Sequence, residues 1–132
     1  MISFDYNIKV YYKDIDKMGV VYYTRYLEYF EAARTEMLKS IGLIVTDIEN
    51  KGFFLPVVSA HCDYKQGANF EDEITIRTSI KEMPKARMKI EYEVLKDDIL
   101  LASGYTIHGF IDHHGKAKRP PKLFQQVMQN YF

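Results

Sequence analysis

The sequence predicts an α+β domain in which one curved antiparallel sheet wraps a single long helix. Two observations carry that prediction. Hydropathy repeats with period two near the start of the chain and over four later segments, but with a period near 3.6 over one long segment between residues 22 and 41. The later segments are separated by breaks short enough for antiparallel hairpins. A sheet with one apolar face and a helix with a wide apolar stripe have to cover each other.

Taken in order, residues 4 to 12 alternate: Phe4, Tyr6, Ile8, Val10 and Tyr12 share one face, while Asp5, Asn7, Lys9 and Tyr11 share the other. A polar break, Lys13 to Gly19, follows. From about Tyr22 to Ile41, the residues Tyr26, Leu27, Tyr29, Phe30, Ala33, Met37, Leu38 and Ile41 recur at spacings of three and four. Gly42 is placed to cap this helix. A short second helix is expected near 47–50, where Thr46 and Glu49 have capping-box spacing and Gly52 stands just beyond.

Four strands are expected after it, over 53–65, 73–81, 86–95 and 99–111. The first of these begins apolar on both faces, as a strand leaving a buried centre would. Gly67-Ala68-Asn69, Met83-Pro84-Lys85 and Lys96-Asp97-Asp98 connect them. Pro120-Pro121 ends the extended chain, and Leu123, Phe124, Val127 and Met128 suggest a C-terminal helix. At 132 residues, one domain spanning 1–132 is the expectation. Apolar patches on the outer sheet face are expected to be covered in at least a dimer.

Composition narrows function. Eighteen basic and eighteen acidic residues cancel, which argues against a general nucleic-acid binder, since such a protein needs a basic surplus to displace counterions. The opening MISFDYNIKV has neither a basic leader nor an apolar core, and no apolar run approaches the ~18 residues of a membrane span. With one cysteine, Cys62, no internal disulfide is available. These features predict a soluble, cytoplasmic protein.

Tyr12-x-Asp14-x-Asp16-x-x-Gly19 is the segment that bears chemistry. It puts two carboxylates between a strand and a helix start. Unpaired N–H groups at a helix start carry partial positive charge and can hold a developing oxyanion. A carboxylate beside them can act as base or nucleophile, the minimum equipment for acyl transfer. The same spacing imitates the start of a calcium loop. Met18 and Arg25, however, stand where that loop needs oxygen ligands, so no metal is expected.

Asp112-His113-His114 reads as a solvated turn, Cys62 as a core cysteine, and His61 and His108 as satisfied strand residues. No nucleophile elbow or glycine-rich phosphate loop is present, and no cofactor is expected.

The stretch from Tyr11 to Tyr26, YYKDIDKMGVVYYTRY, followed by Phe30-Glu31-Ala32-Ala33-Arg34, resembles the signature of the 4-hydroxybenzoyl-CoA thioesterase family. It is especially similar to the branch of acyl-CoA thioesterases associated with the Tol-Pal system, and the downstream strands match over nearly the whole chain. The resemblance implies the hotdog fold, with dimers or tetramers whose active sites lie at the dimer interface.

It implies Asp16 as the catalytic carboxylate, Asp14 as its variable neighbour, and the Tyr23 backbone N–H as the group that polarises the thioester carbonyl. The Tol-Pal branch commonly carries histidine at the position of Tyr23, and the 4-hydroxybenzoyl branch carries tyrosine. A main-chain N–H can act with either side chain.

An acyl-CoA substrate brings several phosphate charges. Lys85, Arg87 and Lys89, which alternate along one strand, and Arg119, with Lys118 beside it, are the candidate cations. Glu91 and Glu93 continue the strand face of the first three. Three other readings stand beside acyl-CoA hydrolysis. They are hydrolysis of a carrier-protein thioester, a dehydratase using a histidine from a partner subunit, and a non-catalytic module that holds acyl chains.

Overall fold

The computed structural model describes residues 1–132 throughout. In chain order the elements are β1 (Ile2–Lys9), α1 (Arg25–Ser40), α2 (Val45–Asn50), β2 (Val57–Tyr64), β3 (Glu73–Ile80), β4 (Met88–Lys96), β5 (Ile99–His108) and α3 (Lys122–Gln129). The strands form one antiparallel five-stranded sheet in the order β1-β3-β4-β5-β2.

Burial follows the predicted periods. In β3, Ile74, Ile76, Thr78 and Ile80 point inward, and in β4 so do Met88, Ile90, Tyr92 and Val94. Helix α1 answers with Tyr26, Phe30, Ala33 and Met37. Leu27, expected on this stripe, faces solvent. Phe30 lies flat on Tyr92, ring centroids 4.2 Å apart with 6° between planes. Each such buried side chain contributes about 1.5–3 kcal/mol.

Gly104, beside Tyr92 in the ladder, makes that approach possible. A Cβ there would sit 2.2 Å from the His61 carbonyl oxygen and 3.0 Å from the Phe30 ring.

Helix α1 ends as expected at Gly42, where the Leu43 N–H donates to the Leu38 carbonyl and the Gly42 N–H to that of Lys39. Helix α2 starts earlier than predicted. Its cap is Ile44, whose extended backbone offers its carbonyl to Asp47 and Ile48, so Thr46 lies inside the helix and no capping box forms. The first strand stops at Lys9, and Tyr12–Asp14 winds into a single 3₁₀ turn instead of continuing it.

Two expectations about the sheet fail for one reason. The strand predicted from residue 53 begins at Val57, and it is not a central strand but an exposed edge. Gly67-Ala68-Asn69 is therefore not a hairpin: the chain crosses from one edge of the sheet to the interior, passing beside the segment that precedes α1. Near-neighbour pairing is the default for consecutive strands. Here β2 instead pairs with β5, and β3 pairs with β1.

The outer face is also polar where apolar patches were expected. It carries Asp5 paired with Arg77 at 3.0 Å, and Lys89 4.7 Å above the Tyr105 ring. Exposed apolar groups gather instead on β2 (Val57, Val58, Tyr64) and before and early in α1 (Met18, Tyr22, Tyr23, Leu27).

A polar chain crosses the core. His108 Nδ1 lies 3.1 Å from the Leu55 carbonyl, which can only accept, so Nδ1 carries the hydrogen. His108 Nε2 then accepts from the Thr106 hydroxyl at 2.8 Å, and Thr106 accepts from Tyr92 at 2.6 Å. Burial holds the His108 pKa below its ordinary value, and the Arg34 charge works in the same direction.

Two outcomes follow. Gly104→Ala is expected to destabilise by about 1–3 kcal/mol or more, read by urea unfolding, because the rigid β2 backbone has to move. The unfolded chain protonates His108 at a higher pH than the folded protein does. Stability from this group is therefore complete above about pH 6.5 and falls below it, by at most about 1.4 kcal/mol per pH unit. Melting temperatures from pH 8 to 5 are expected to show that slope in the wild type and to lack it in His108→Gln.

Candidate active site

The segment between β1 and α1 folds into a miniature hairpin closed by an Ile15–Val21 bridge. The Asp16 N–H donates to the Val20 carbonyl at 3.0 Å, and the Gly19 N–H returns to the Asp16 carbonyl at 3.0 Å. Gly19 adopts φ 81°, the left-handed conformation that such a turn requires at its last position. One oxygen of the Asp16 carboxylate is tied to the Met18 N–H at 2.8 Å. The other makes no hydrogen bond, and the side chain is half-buried.

Asp14 has a different environment. It is 4% exposed. Its carboxylate accepts the Tyr11 N–H at 3.0 Å, and its main-chain carbonyl accepts the Tyr22 N–H at 2.8 Å. The Tyr29 hydroxyl is buried with no hydrogen-bond partner; burial first, and then the Asp14 charge, push its pKa upward. The two carboxylates are thus held by different main-chain N–H groups, that of Tyr11 for Asp14 and that of Met18 for Asp16. No group of three His, Cys, Asp or Glu side chains anywhere in the chain is arranged to hold a metal.

Helical winding starts just before α1. The Arg25 N–H reaches the Tyr22 carbonyl at 2.9 Å, and the Tyr26 N–H reaches that of Tyr23 at 3.4 Å. The N–H groups of Tyr23 and Thr24 therefore have no main-chain partner and no side chain caps them. They stand at the positive end of a sixteen-residue helix. Tyr64 reaches across from the end of β2 and donates its hydroxyl to the Tyr23 carbonyl at 3.0 Å. Its ring meets Tyr23 and Tyr26 edge-on, at centroid distances of 6.3 and 5.2 Å. Sequence reasoning missed Tyr64, because nothing local links it to a residue 41 positions earlier.

The basic candidates lie elsewhere. Tyr64 pairs with Ala102, which pairs with Val94 of β4, so the Asp16 turn sits at that end of the sheet. Met88 pairs with His108 at the opposite end. Six strand residues separate the two, roughly 20 Å. Arg87 and Lys89 line a shallow groove with Lys81, Met83, Glu91 and Ile107 at the far end, and Lys85 precedes them. Arg119 is exposed beside Lys118, whose N–H donates to the Phe110 carbonyl just beyond β5. A single chain does not bring these cations to Asp16.

The remaining candidates are accounted for. Asp112 accepts the N–H groups of His114 and Lys116 in an exposed turn. His61 pairs with Asp63 at 3.0 Å on the edge strand. Burial pushes the Cys62 thiol pKa up, away from a nucleophile's range.

A long helix wrapped by a curved sheet, with a carboxylate turn feeding its N-terminus, defines a hotdog-fold protein equipped for acyl transfer. The chain belongs to the thioesterase-like superfamily, whose family model matches residues 10–130, and it is a hydrolase of the thioesterase type. It is 32% identical to the acyl-CoA thioesterase YbgC of Haemophilus influenzae, over 98% of this chain and 94% of that protein. It is 31% identical to a 1,4-dihydroxy-2-naphthoyl-CoA hydrolase of Synechocystis, over 97% and 96% of the two chains. The crystal structure of a hypothetical protein from Thermus thermophilus superposes with a TM-score of 0.92 at 30% identity, covering 99% of this chain and 98% of the other.

If the inward-turned Asp14 carboxylate braces this loop, Asp14→Ala should leave the Tyr11 N–H unpaired. The expected cost is about 1–3 kcal/mol, read as a lower urea midpoint with an unchanged slope.

Proposed function

We propose that the chain hydrolyses acyl-CoA thioesters to the free acid and CoA, with Asp16 as the catalytic carboxylate and the Tyr23 N–H polarising the carbonyl. The observation that carries this reading is the occurrence, on the short segment joining β1 to α1, of a carboxylate with an uncommitted oxygen and an unpaired N–H at the helix start. The YbgC and naphthoyl-CoA relatives, both named for CoA thioesters, support the substrate class.

Two routes lead from the bound thioester to products. In one, a carboxylate oxygen of Asp16 adds to the carbonyl carbon and the C–S bond breaks. The thiolate takes a proton, and water then cleaves the mixed anhydride. In the other, Asp16 takes a proton from water as its oxygen adds to the carbonyl, and returns that proton to the departing sulfur. In both, negative charge grows on the carbonyl oxygen, and the helix-start N–H stabilises it more than it stabilises the substrate.

The proposal includes a homodimer, and a tetramer built from it is compatible. Strand β2 is an open edge with exposed Val57 and Val58. Antiparallel pairing of two such edges about a two-fold axis would set the Tyr64 end of one chain against the Val57 end of the other. Val57 pairs with His108, and His108 with Met88, so the partner's basic end would then come alongside this chain's Asp16. Lys85, Arg87, Lys89 and Arg119 are proposed to meet the CoA phosphates in that way, across the interface. The free thiol of Cys62 fits a cytoplasmic setting.

Thiol release from a panel of aliphatic and aromatic acyl-CoAs, and from carrier-protein thioesters, tests the function. Asp16→Asn keeps the shape and removes the charge, so a kcat loss of about a thousandfold or more is expected. Equal activity in both proteins would remove Asp16 from the chemistry, and acyl-CoA binding without thiol release would leave a holding module. Single turnover in labelled water tests the routes: label entering the Asp16 carboxylate marks the anhydride, and its absence counts against the nucleophilic route. Arg87→Glu is expected to raise the KM for acyl-CoA about tenfold with little change in kcat; an unchanged KM removes Arg87 from the phosphate site.

A further inference from the structure

We propose that Tyr64 is a positioning residue for this reaction, a role that rests on the thioesterase reading above. Its hydroxyl fixes and polarises the Tyr23–Thr24 peptide, so that the Thr24 N–H joins the Tyr23 N–H as a donor to the thioester oxygen.

Three observations support the role independently of one another. First, the phenol hydrogen goes to the carbonyl of a peptide whose own N–H, that of Thr24, has no partner. A peptide that accepts a hydrogen bond at its oxygen becomes a stronger donor at its nitrogen, because the two ends share one polarisable π system. Second, the helix itself holds this carbonyl weakly. The main-chain bond it receives, from the Tyr26 N–H, is stretched to 3.4 Å, against 3.0 Å for the bond from Tyr64. Third, the Tyr64 ring is held by edge-on contacts with both Tyr23 and Tyr26, so its hydroxyl is delivered in one geometry instead of sweeping through solvent.

The phenol is suited to permanent donation. Burial, and then the neighbouring Cys62, push its pKa up to about 12, so the phenol stays protonated near neutral pH. The contact also joins two parts of the chain that lie 41 residues apart in sequence. Strand β2 is the outer edge of the sheet, and the helix start lies beyond the crossover loop. The end of the edge strand therefore sets the angle at which the two free N–H groups present themselves.

Tyr64→Phe tests this, since it keeps the ring contacts and removes only the hydroxyl. The expected result is a fall in kcat of about ten- to a hundredfold, less than deletion of an oxyanion donor outright, with KM within about twofold and little change in melting temperature. In the amide NMR spectrum of the unliganded protein, the Thr24 N–H resonance is expected to move upfield, and that of Tyr23 much less.

An unchanged kcat in Tyr64→Phe, with Asp16→Asn inactive, would overturn this role and leave the function standing. A fall in kcat matched by a large loss of melting temperature, with the Thr24 resonance unmoved, would also overturn it, because the hydroxyl would then be only a structural tie. A wild type that releases no thiol from any thioester would remove the function and this role together.

Discussion

The flat contact of Phe30 on Tyr92 sets the separation between α1 and the sheet, and the remaining geometry hangs on that separation. Gly104 permits it by leaving no Cβ between the helix and the strand pair β5–β2. With the helix seated at that depth, Ala33 and Met37 reach the inner face on later turns, and Leu38 and Leu43 close the far end over the Gly42 turn. The near end has to open where the chain arrives from β1. Its first N–H groups are thereby left at the rim of the sheet and not sealed within it.

At that rim one residue type does two jobs. Asp14 and Asp16 are two positions apart, and the turn gives them different surroundings, one buried and one half-buried. Asp14 is drawn inward, where the Tyr11 N–H takes its carboxylate and the Tyr22 N–H takes its carbonyl. It serves as a brace joining the 3₁₀ turn to the helix start. Asp16 is turned outward, and a single N–H restrains it, leaving one oxygen uncommitted. A buried carboxylate needs its hydrogen bonds simply to be tolerated, whereas an outward one can keep capacity for a reacting partner. The division of labour comes from the turn and not from the side chains.

The fold also leaves a functional demand unmet within one chain. The acidic turn and the basic strand end lie at opposite ends of an antiparallel sheet, and no rearrangement of side chains can close about 20 Å. An open edge strand with exposed valines offers a solution, because two-fold pairing of antiparallel edges juxtaposes unlike ends. In the proposed dimer the charge that the substrate needs would be borrowed from the neighbour, and the edge strand would serve assembly as well as the placement of Tyr64.

Much of this was legible in the residue order. Helix α1 could be read to within three residues of either end, because its apolar spacing is a local property and Gly42 marks its close. Strands β3 and β4 showed their inward faces by simple alternation, whereas in β5 the face read as apolar (Ile99, Tyr105, Ile107) turns outward and Ala102, Thr106 and His108 point inward. Asp16 was singled out by its place between a strand and a helix, and the resemblance over Tyr11–Arg34 supplied a role for it.

What the sequence alone could not decide was which strands become neighbours. Periodicity states that a segment is a strand but carries no record of its partner. The placement of β2 at the far edge, the crossover through Gly67-Ala68-Asn69, the polar outer face and the distance from Asp16 to Arg87 all follow from partner choice. The hydrogen bond from Tyr64 to Tyr23 belongs with them. Only tertiary packing sets it, because a contact across 41 residues depends on where the sheet has put its edge.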